Sequence, residues 1–516
     1  MILMLFIAIP LLGGLLAWLA GRWSTSASRW IALWASFLPF VMGVALWMAH
    51  PDARNSFGGS WLLDYSARWI PTFGISFHLA LDGLSLLLVT LSGFIGTLAV
   101  VASWREIDTR VGFFHFNLLW TLAGIMGTFL ALDLFLFYFC YELMLVPLYY
   151  LIDLWGHERR HYAARKFFIF TQVGGLFLLL GILGLVMAHA AQTPGRPPTF
   201  DYLQLLGTPL PPALAWWLML GFFIAFAVKL PVVPVHNWLP DAHTQAPVAG
   251  SVDLAGLLLK VGAYGLLRFV IPLFPRASLD FTPVVMTLAV VGIIYGALVA
   301  FGQTDLKRLV AYTSISHMGF VLLGIYAWND LALLGAIIIM LIHGVTTGAL
   351  FILVGSVDER MHTRSLHRLS GLWSSTPRIG GTMLFFCVAS LGLPGLGNFI
   401  GEFLVLLGVY RVSPLFAILA SLGFIFALIY SLWIVQRVFY GPPQGELPVS
   451  DLSPRETAMM SACIAITVWL GLYPQAALNV VTPALNGLQQ GTATSTSVSN
   501  RVDAAIVSGE VFDVRH

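Results

Sequence analysis

The chain carries four lysines, and two of them, Lys229 in FFIAFAVKLPVVP and Lys260 in VDLAGLLLKVGAYGLL, lie inside long apolar runs. Glu142 is central in FLFYFCYELMLVPLYYL, and His317 and His343 are central in runs of their own. Glu402 follows a Pro/Gly break in LGLPGLGNFIGEFLVLLG. A charge at the centre of a bilayer costs about 2.5 to 3.5 kcal/mol on insertion scales, so such groups need partners or a wet interior. Amine, carboxyl and imidazole are the side chains that exchange protons. The default reading of such groups is a functional site inside the membrane. The opposing reading, a satisfied polar group joining two helices, applies best to His317 and His343, because a neutral imidazole is far cheaper to bury than a charge.

Two of these groups stand beside helix breakers. Pro231, Pro234 and Pro240 follow Lys229, and Gly392, Pro394, Gly395 and Gly397 precede Glu402, so both helices are expected to be broken at membrane depth. Such breaks are tolerated where protein or water satisfies the freed backbone groups, the usual setting of an ion-transfer site. Glu142 to Lys229 spans 87 residues and His317 to Glu402 spans 85, each joining an expectedly unbroken span to a broken one two spans later. Five spans separate equivalent members, an odd number, so the two units are expected to be inverted repeats.

The elements that must hold these groups follow from composition. Of 516 residues 58% are apolar and 10% charged, with a mean hydropathy of +0.86. A soluble domain has about 25% charged residues, so a water-soluble globule is excluded. Apolar runs of about 20 residues recur from end to end and predict an all-α polytopic membrane protein of about fourteen transmembrane helices. Spans four to eight and nine to thirteen are the expected inverted five-helix repeats, with helices 7 and 12 broken. The expected divisions are 1–110 (helices 1–3), 111–275 (first repeat), 276–440 (second repeat) and 441–516 (helix 14 and tail). Loops such as Pro51 to Pro71 and Gly441 to Arg455 leave no room for a soluble domain. Met1 to about Ala20 lacks a basic n-region and a cleavage site, and reads as a retained transmembrane helix.

With Lys229, Lys260, Arg501 and Arg515 set aside, loops after odd-numbered spans hold 16 Lys and Arg, and loops after even-numbered spans hold six: Arg54, Arg68, Arg196, Arg268, Arg276 and Arg411. The positive-inside rule then puts both termini on the periplasmic side. A net charge of +2 without a basic tract offers nucleic acid no footing. Cys140, Cys387 and Cys463 lie in apolar runs with no metal-type spacing, which argues against a disulfide framework, an iron–sulfur cluster or zinc. His236, Asp241 and His243 in HNWLPDAH hint at a metal, but a loop-lining role fits them better. GLPGLG around Gly392 lacks the strand and acidic residue of a dinucleotide fingerprint. No metal, no redox cofactor and no bond chemistry is expected in this chain.

Six segments then point to one family: LDGLSLLLVTLSG from Leu81, YELMLVPLYYLIDLWG from Tyr141, FAVKLPVVPVHNWLPDAHTQAPVAGSVDLAGLLLKVGAYGLLR from Phe226, DLKRLVAYTSISHMGFV from Asp305, HGVTTGALFILVG from His343 and LPGLGNFIGEF from Leu393. From about Phe73 to Phe439 the chain resembles the subunit M family of the bacterial proton-pumping NADH:quinone oxidoreductase, respiratory complex I. The mitochondrial counterpart is NADH dehydrogenase chain 4. The resemblance implies an antiporter-like subunit of the membrane arm in which Glu142 of the fifth helix pairs with Lys229 of the broken seventh. It implies that Lys260 and the relay histidines His317 and His343 pass protons to Glu402, the terminal carboxyl of the broken twelfth helix. Sister subunits L and N, and Mrp-type Na+/H+ antiporter subunits, usually carry lysine at that last position. The chain also ends soon after its fourteenth span, where subunit L continues into a lateral helix.

FMN, iron–sulfur clusters and quinone are implied for partner subunits, none for this chain. The implied partners are L-type and N-type subunits on either side and the lipid bilayer, in the bacterial inner membrane. NADH-to-ubiquinone electron transfer elsewhere in the complex would alternately join and separate Glu142 and Lys229 and so drive the proton onward. The alternative readings are an Mrp-type Na+/H+ antiporter subunit and a subunit of a membrane-bound hydrogenase complex.

Overall fold

The computed structural model describes residues 1–50, 61–195, 197–442, 449–483 and 485. Arg54, Arg196, part of the Gly441 to Arg455 loop, and the tail with Arg501 and Arg515 lie outside the described residues. Among the described residues, twelve helices are each long and apolar enough to cross a membrane: Ile2–Ala20, Thr25–Ala49, Gly83–Glu106, Val111–Leu130, Leu134–Trp155, Arg160–Gln192, Pro212–Lys229, Val248–Leu273, Pro275–Phe301, Leu306–Ile325, Asp330–Met361 and Pro414–Phe439. Pro454–Leu472 and Gln475–Pro483, bent by 71°, together make a thirteenth. The expected twelfth span is split into Pro377–Ser390 and Gly397–Val412, helices of 14 and 16 residues that are too short to cross alone.

Side-chain caps fix where several spans begin. Asp82 accepts from the Ser85 N–H, Asp133 from Phe135 and Leu136, Asp305 from Arg308 and Asn329 from Ala332, each satisfying a donor that a helix N-terminus leaves open. Ser453 and Glu456 form a capping box at the start of Pro454–Leu472. The core lies along two spans, Val248–Leu273 and Asp330–Met361, whose most apolar 18-residue stretches are wholly buried, with that of Leu306–Ile325 nearly so. Thr25–Ala49 and Pro414–Phe439 are mostly exposed and lie on the perimeter of the bundle. The most enclosed helices are thus the ones that carry Lys260, His343 and His317.

Three features depart from the expected plan. Leu63–Ile70 and Ile75–Leu81 pair as an antiparallel β-hairpin, with Leu63 opposite Leu81, where a plain loop was expected. The alternation in LDYSARWI, outward and inward in turn, is the period-2 pattern that makes a strand. The hairpin is pinned to the fifth span because Asp133 accepts from the Ser76 N–H at 2.8 Å and the Ser76 hydroxyl at 2.9 Å. The fifth span, expected to be unbroken, is kinked at Met144 into Leu134–Leu143 and Leu145–Trp155, because Pro147 has no N–H to continue the ladder. The eighth span contains two π-helical turns, Leu254–Leu258 and Leu266–Val270. At the hairpin end of the bundle, Arg268 and Asp82 form a fully buried ion pair that joins the eighth span to the third.

Candidate functional site

The Pro212–Lys229 helix stops at Lys229 because Pro231 cannot extend it. The carbonyls freed by the break are recovered locally: Ala227 accepts from the Val232 N–H at 2.8 Å, and Val228 accepts from the Trp238 indole at 2.9 Å. The chain re-enters helix at Trp238–Gln245. Lys229 is 1% exposed. Its ammonium donates to the Tyr141 carbonyl at 3.1 Å and lies 3.3 Å from the centre of the Tyr141 ring, a cation–π contact. The Tyr141 hydroxyl in turn donates to the Ala225 carbonyl at 3.0 Å, which holds the ring in place.

Glu142 lies at the kink of the fifth span, and its Oε1 is buried without a hydrogen-bond partner. Its oxygens form no ion pair within 4.0 Å of the Lys229 amine, so the two groups that the resemblance pairs are near each other without touching, with Tyr141 holding the amine. Gly175 of Arg160–Gln192 makes room for the carboxylate: a Cβ there would fall 1.9 Å from Glu142 Oε1.

Lys260, fully buried, has a different environment. Its ammonium donates to the Ala255 carbonyl at 2.5 Å, in the π-helical turn, and to His343 Nδ1 at 2.8 Å. A neutral His343 therefore carries its proton on Nε2, which has no partner. The His343 and His317 rings are 5.7 Å apart at 63°. His317 Nδ1 meets Glu402 Oε1 at 2.9 Å, and its Nε2 meets the Ser390 hydroxyl at 3.0 Å, with the Tyr430 hydroxyl at 3.5 Å. Glu402 is 2% exposed and its Oε2 faces Gly392, whose φ of +80° lies in the left-handed region that favours glycine. Lys260, His343, His317 and Glu402 thus form one series, and Lys229 stands outside it. The two parts meet at Gly262, where an added Cβ would lie 2.6 Å from the Leu230 N and 2.8 Å from the Phe226 O.

At the end of the bundle opposite the hairpin, a cleft of about 490 Å³ is lined by Glu106, His157, Lys307, Asp358, Glu359 and Arg364. Glu106 accepts from the Val248 N–H at 2.9 Å, and Lys307 donates to the Ala246 carbonyl at 2.5 Å. Burial, with Lys307 and Arg364 alongside, drives His157 down to about 3, so it is neutral at ordinary pH. Of the three residues that hinted at a metal, Asp241 accepts from Lys166 at 2.6 Å and from Arg308 at 2.9 Å, His243 stacks on Phe351 at 4.6 Å, and His236 packs edge-on to Tyr295 at 5.1 Å. They do not converge, and among the described residues no group of three His, Cys, Asp or Glu is placed to hold a metal.

Tyr141, Gly175, Ser390 and Tyr430 were not singled out by sequence, because nothing in a chain of this composition distinguishes them from packing residues. Asp253 was also missed, although it carries the same signal as Lys260, a charged group within an apolar run.

The family described as NADH:quinone oxidoreductase/Mrp antiporter, TM matches residues 131–427. The chain is 52% identical over 507 residues to NADH-quinone oxidoreductase subunit M of Pseudomonas aeruginosa, covering 96% of this chain and 99% of that one. It is 49% identical over 500 residues to the subunit of the same description from Escherichia coli K12, covering 95% and 98%. A chain in the structure of respiratory complex I from Thermus thermophilus with bound NADH superposes with a TM-score of 0.84 at 32% identity, covering 96% of this chain and 99% of that chain.

Proposed function

The chain belongs to the antiporter-like membrane-subunit family of NADH:quinone oxidoreductase, in its subunit M branch, and from that premise we propose that it translocates protons through its buried Glu, Lys and His residues. It is a multi-pass membrane-arm subunit of bacterial complex I. Its own part is non-redox. FMN, iron–sulfur clusters and the quinone site belong to partner subunits, and electron transfer from NADH to ubiquinone supplies the driving energy. L-type and N-type subunits flank it, both termini face the periplasm, and the end bearing the Glu106 cleft faces the cytoplasm. Residues 111–275 and 276–440 act as two inverted halves, the first carrying Glu142, Lys229 and Lys260 and the second His317, His343 and Glu402.

The observation that carries this reading is the contact series from Lys260 through His343 and His317 to Glu402, in the most enclosed spans of the chain. Ionisable groups inside apolar helices are costly to bury, and such groups typically mark ion pathways and proton relays. Moving one charge against about 200 mV costs about 4.6 kcal/mol. An energy of that size corresponds to roughly a 3-unit difference in proton affinity, within what burial and a neighbouring charge impose on a buried group. One lysine that alternates between Tyr141 and Glu142 therefore suffices for one proton per cycle.

The test is NADH-driven quinone reduction and acidification measured together in membrane vesicles carrying Glu142→Gln. Both fall sharply while the complex still assembles if the reading holds. If turnover and acidification are both untouched, Glu142 is a structural polar group and the relay is not as described.

A further inference from the structure

Asp253 is an intramembrane carboxyl that the relay above does not use. It is fully buried, and neither of its oxygens has a hydrogen-bond partner. Buried polar groups are nearly always satisfied, and an ionisable one left open inside a membrane protein calls for a functional account. It lies five residues beyond Val248, whose N–H donates to Glu106 at the cytoplasmic cleft, and seven before Lys260.

At 1.5 Å per residue this sets Asp253 about 7.5 Å in from the cleft end and about 10 Å from the Lys260 Cα along the axis. The lysine side chain shortens the second distance. Lys260 reaches back along its own helix to the Ala255 carbonyl, only two residues beyond Asp253, so the ammonium stands within about one helical turn of it along the axis. The intervening turn is the π-helical Leu254–Leu258, a wide turn of the kind common at functional sites. The packing around it is close: a Cβ at Gly256 would lie 2.7 Å from Ile95, and one at Gly344 would lie 3.0 Å from the Gly256 carbonyl. On this stretch of the helix, between the cleft and the lysine, Asp253 is the titratable side chain.

We propose that Asp253 is the proton donor that reloads Lys260 from the cytoplasmic cleft. The inference rests on the relay reading. When Lys260 has passed its proton to His343 Nδ1 it is a neutral amine. The Asp253 O–H bond then breaks and an N–H bond forms on Lys260, leaving a carboxylate and an ammonium. A proton taken from water in the Glu106 cleft restores the Asp253 O–H. No electron moves, and one proton enters for each one leaving at Glu402.

The experiment uses the whole complex in everted membrane vesicles, whose cytoplasmic face is outward. Asp253→Asn, Asp253→Glu and Lys260→Ala are compared for acidification per NADH oxidised, with NADH:ferricyanide turnover reporting an intact electron-input arm. The expected result for Asp253→Asn is at least a tenfold loss of acidification, a larger rate difference between H2O and D2O, and partial recovery on adding a small weak acid such as formate. Asp253→Glu retains most of the activity. Normal acidification by Asp253→Asn overturns the proposal. So does a loss that neither Asp253→Glu nor formate relieves, since that marks a packing role. If Lys260→Ala itself pumps normally, the relay reading fails and this inference fails with it, a result distinct from failure at Asp253 alone.

Discussion

The ammonium of Lys229 rests 3.3 Å from the centre of the Tyr141 ring, on the residue adjacent to the carboxylate with which it is expected to exchange. Tyr141 and Glu142 are consecutive in one helix and so point about 100° apart around its axis. In the proposed cycle the flexible lysine side chain, not the helix, moves from one to the other.

This makes the chemistry of the amine decisive. Lys229→Arg keeps a cation for Tyr141 to hold, yet guanidinium does not release its proton. Acidification driven by NADH should fall more than tenfold in that variant while the complex assembles. Near-normal acidification in vesicles would remove Lys229 from the proton path.

Gly175 gives a prediction that runs against helix propensity. Gly to Ala inside a helix ordinarily stabilises by about 1 kcal/mol. At Gly175 the new methyl would sit 1.9 Å from Glu142 Oε1, so the carboxylate must move. Gly175→Ala should lower acidification at least tenfold. Gly174→Ala, whose methyl meets Ala225 and Val228 at an ordinary 3.5 Å, should stay within twofold, and equal behaviour of the two would refute the crowding argument.

The break before Glu402 holds a second pair. Gly392 and Gly395 both have positive φ, at +80° and +95°, but only Gly392 has a carboxylate against it, with Glu402 Oε2 2.8 Å from an added Cβ. Alanine at either position pays backbone strain of about 1–2 kcal/mol. Only Gly392→Ala should also depress pumping, several-fold further than Gly395→Ala, as read by acidification normalised to assembled complex.

The hairpin end responds to pH. His78 lies between Asp201, at 2.7 Å, and Asp64, at 3.3 Å. Burial alone would lower its proton affinity, but the two carboxylates outweigh that and hold it above the ordinary 6.5. A raised folded-state value means that the protonated clamp stabilises fully below about pH 6.5 and loses its contribution as pH rises through the raised value. Backbone amides of Leu63–Ile70 should therefore exchange with deuterium more slowly at pH 6 than at pH 8.5, after correction for intrinsic rates. His78→Gln should abolish the difference, and an unchanged difference in that variant would rule out the clamp.

Much of the site was legible because a bilayer makes ionisable residues conspicuous. Glu142, Lys229, Lys260 and Glu402 stand out against apolar neighbours, and proline and glycine mark the two breaks. The hairpin escaped because Leu63–Ile70 is short and lies in a stretch that also carries loop residues. Gly175 escaped because its role is to contribute no atoms, and only the place of its neighbour reveals it. The kink at Met144 follows from Pro147, which sits inside an apolar run that reads as one unbroken helix. Partners across the bundle, such as Ser390 for His317, are set by helix packing that no local pattern records.

Asp241 lies on Trp238–Gln245, the short helix that follows the break after Lys229, and takes Lys166 from the sixth span and Arg308 from the tenth. That segment is moored to two different helices through a single carboxylate. Both ion pairs close on the same carboxylate, so the segment that follows Lys229 is tied to the sixth and tenth spans by contacts that involve none of the groups of the proposed relay.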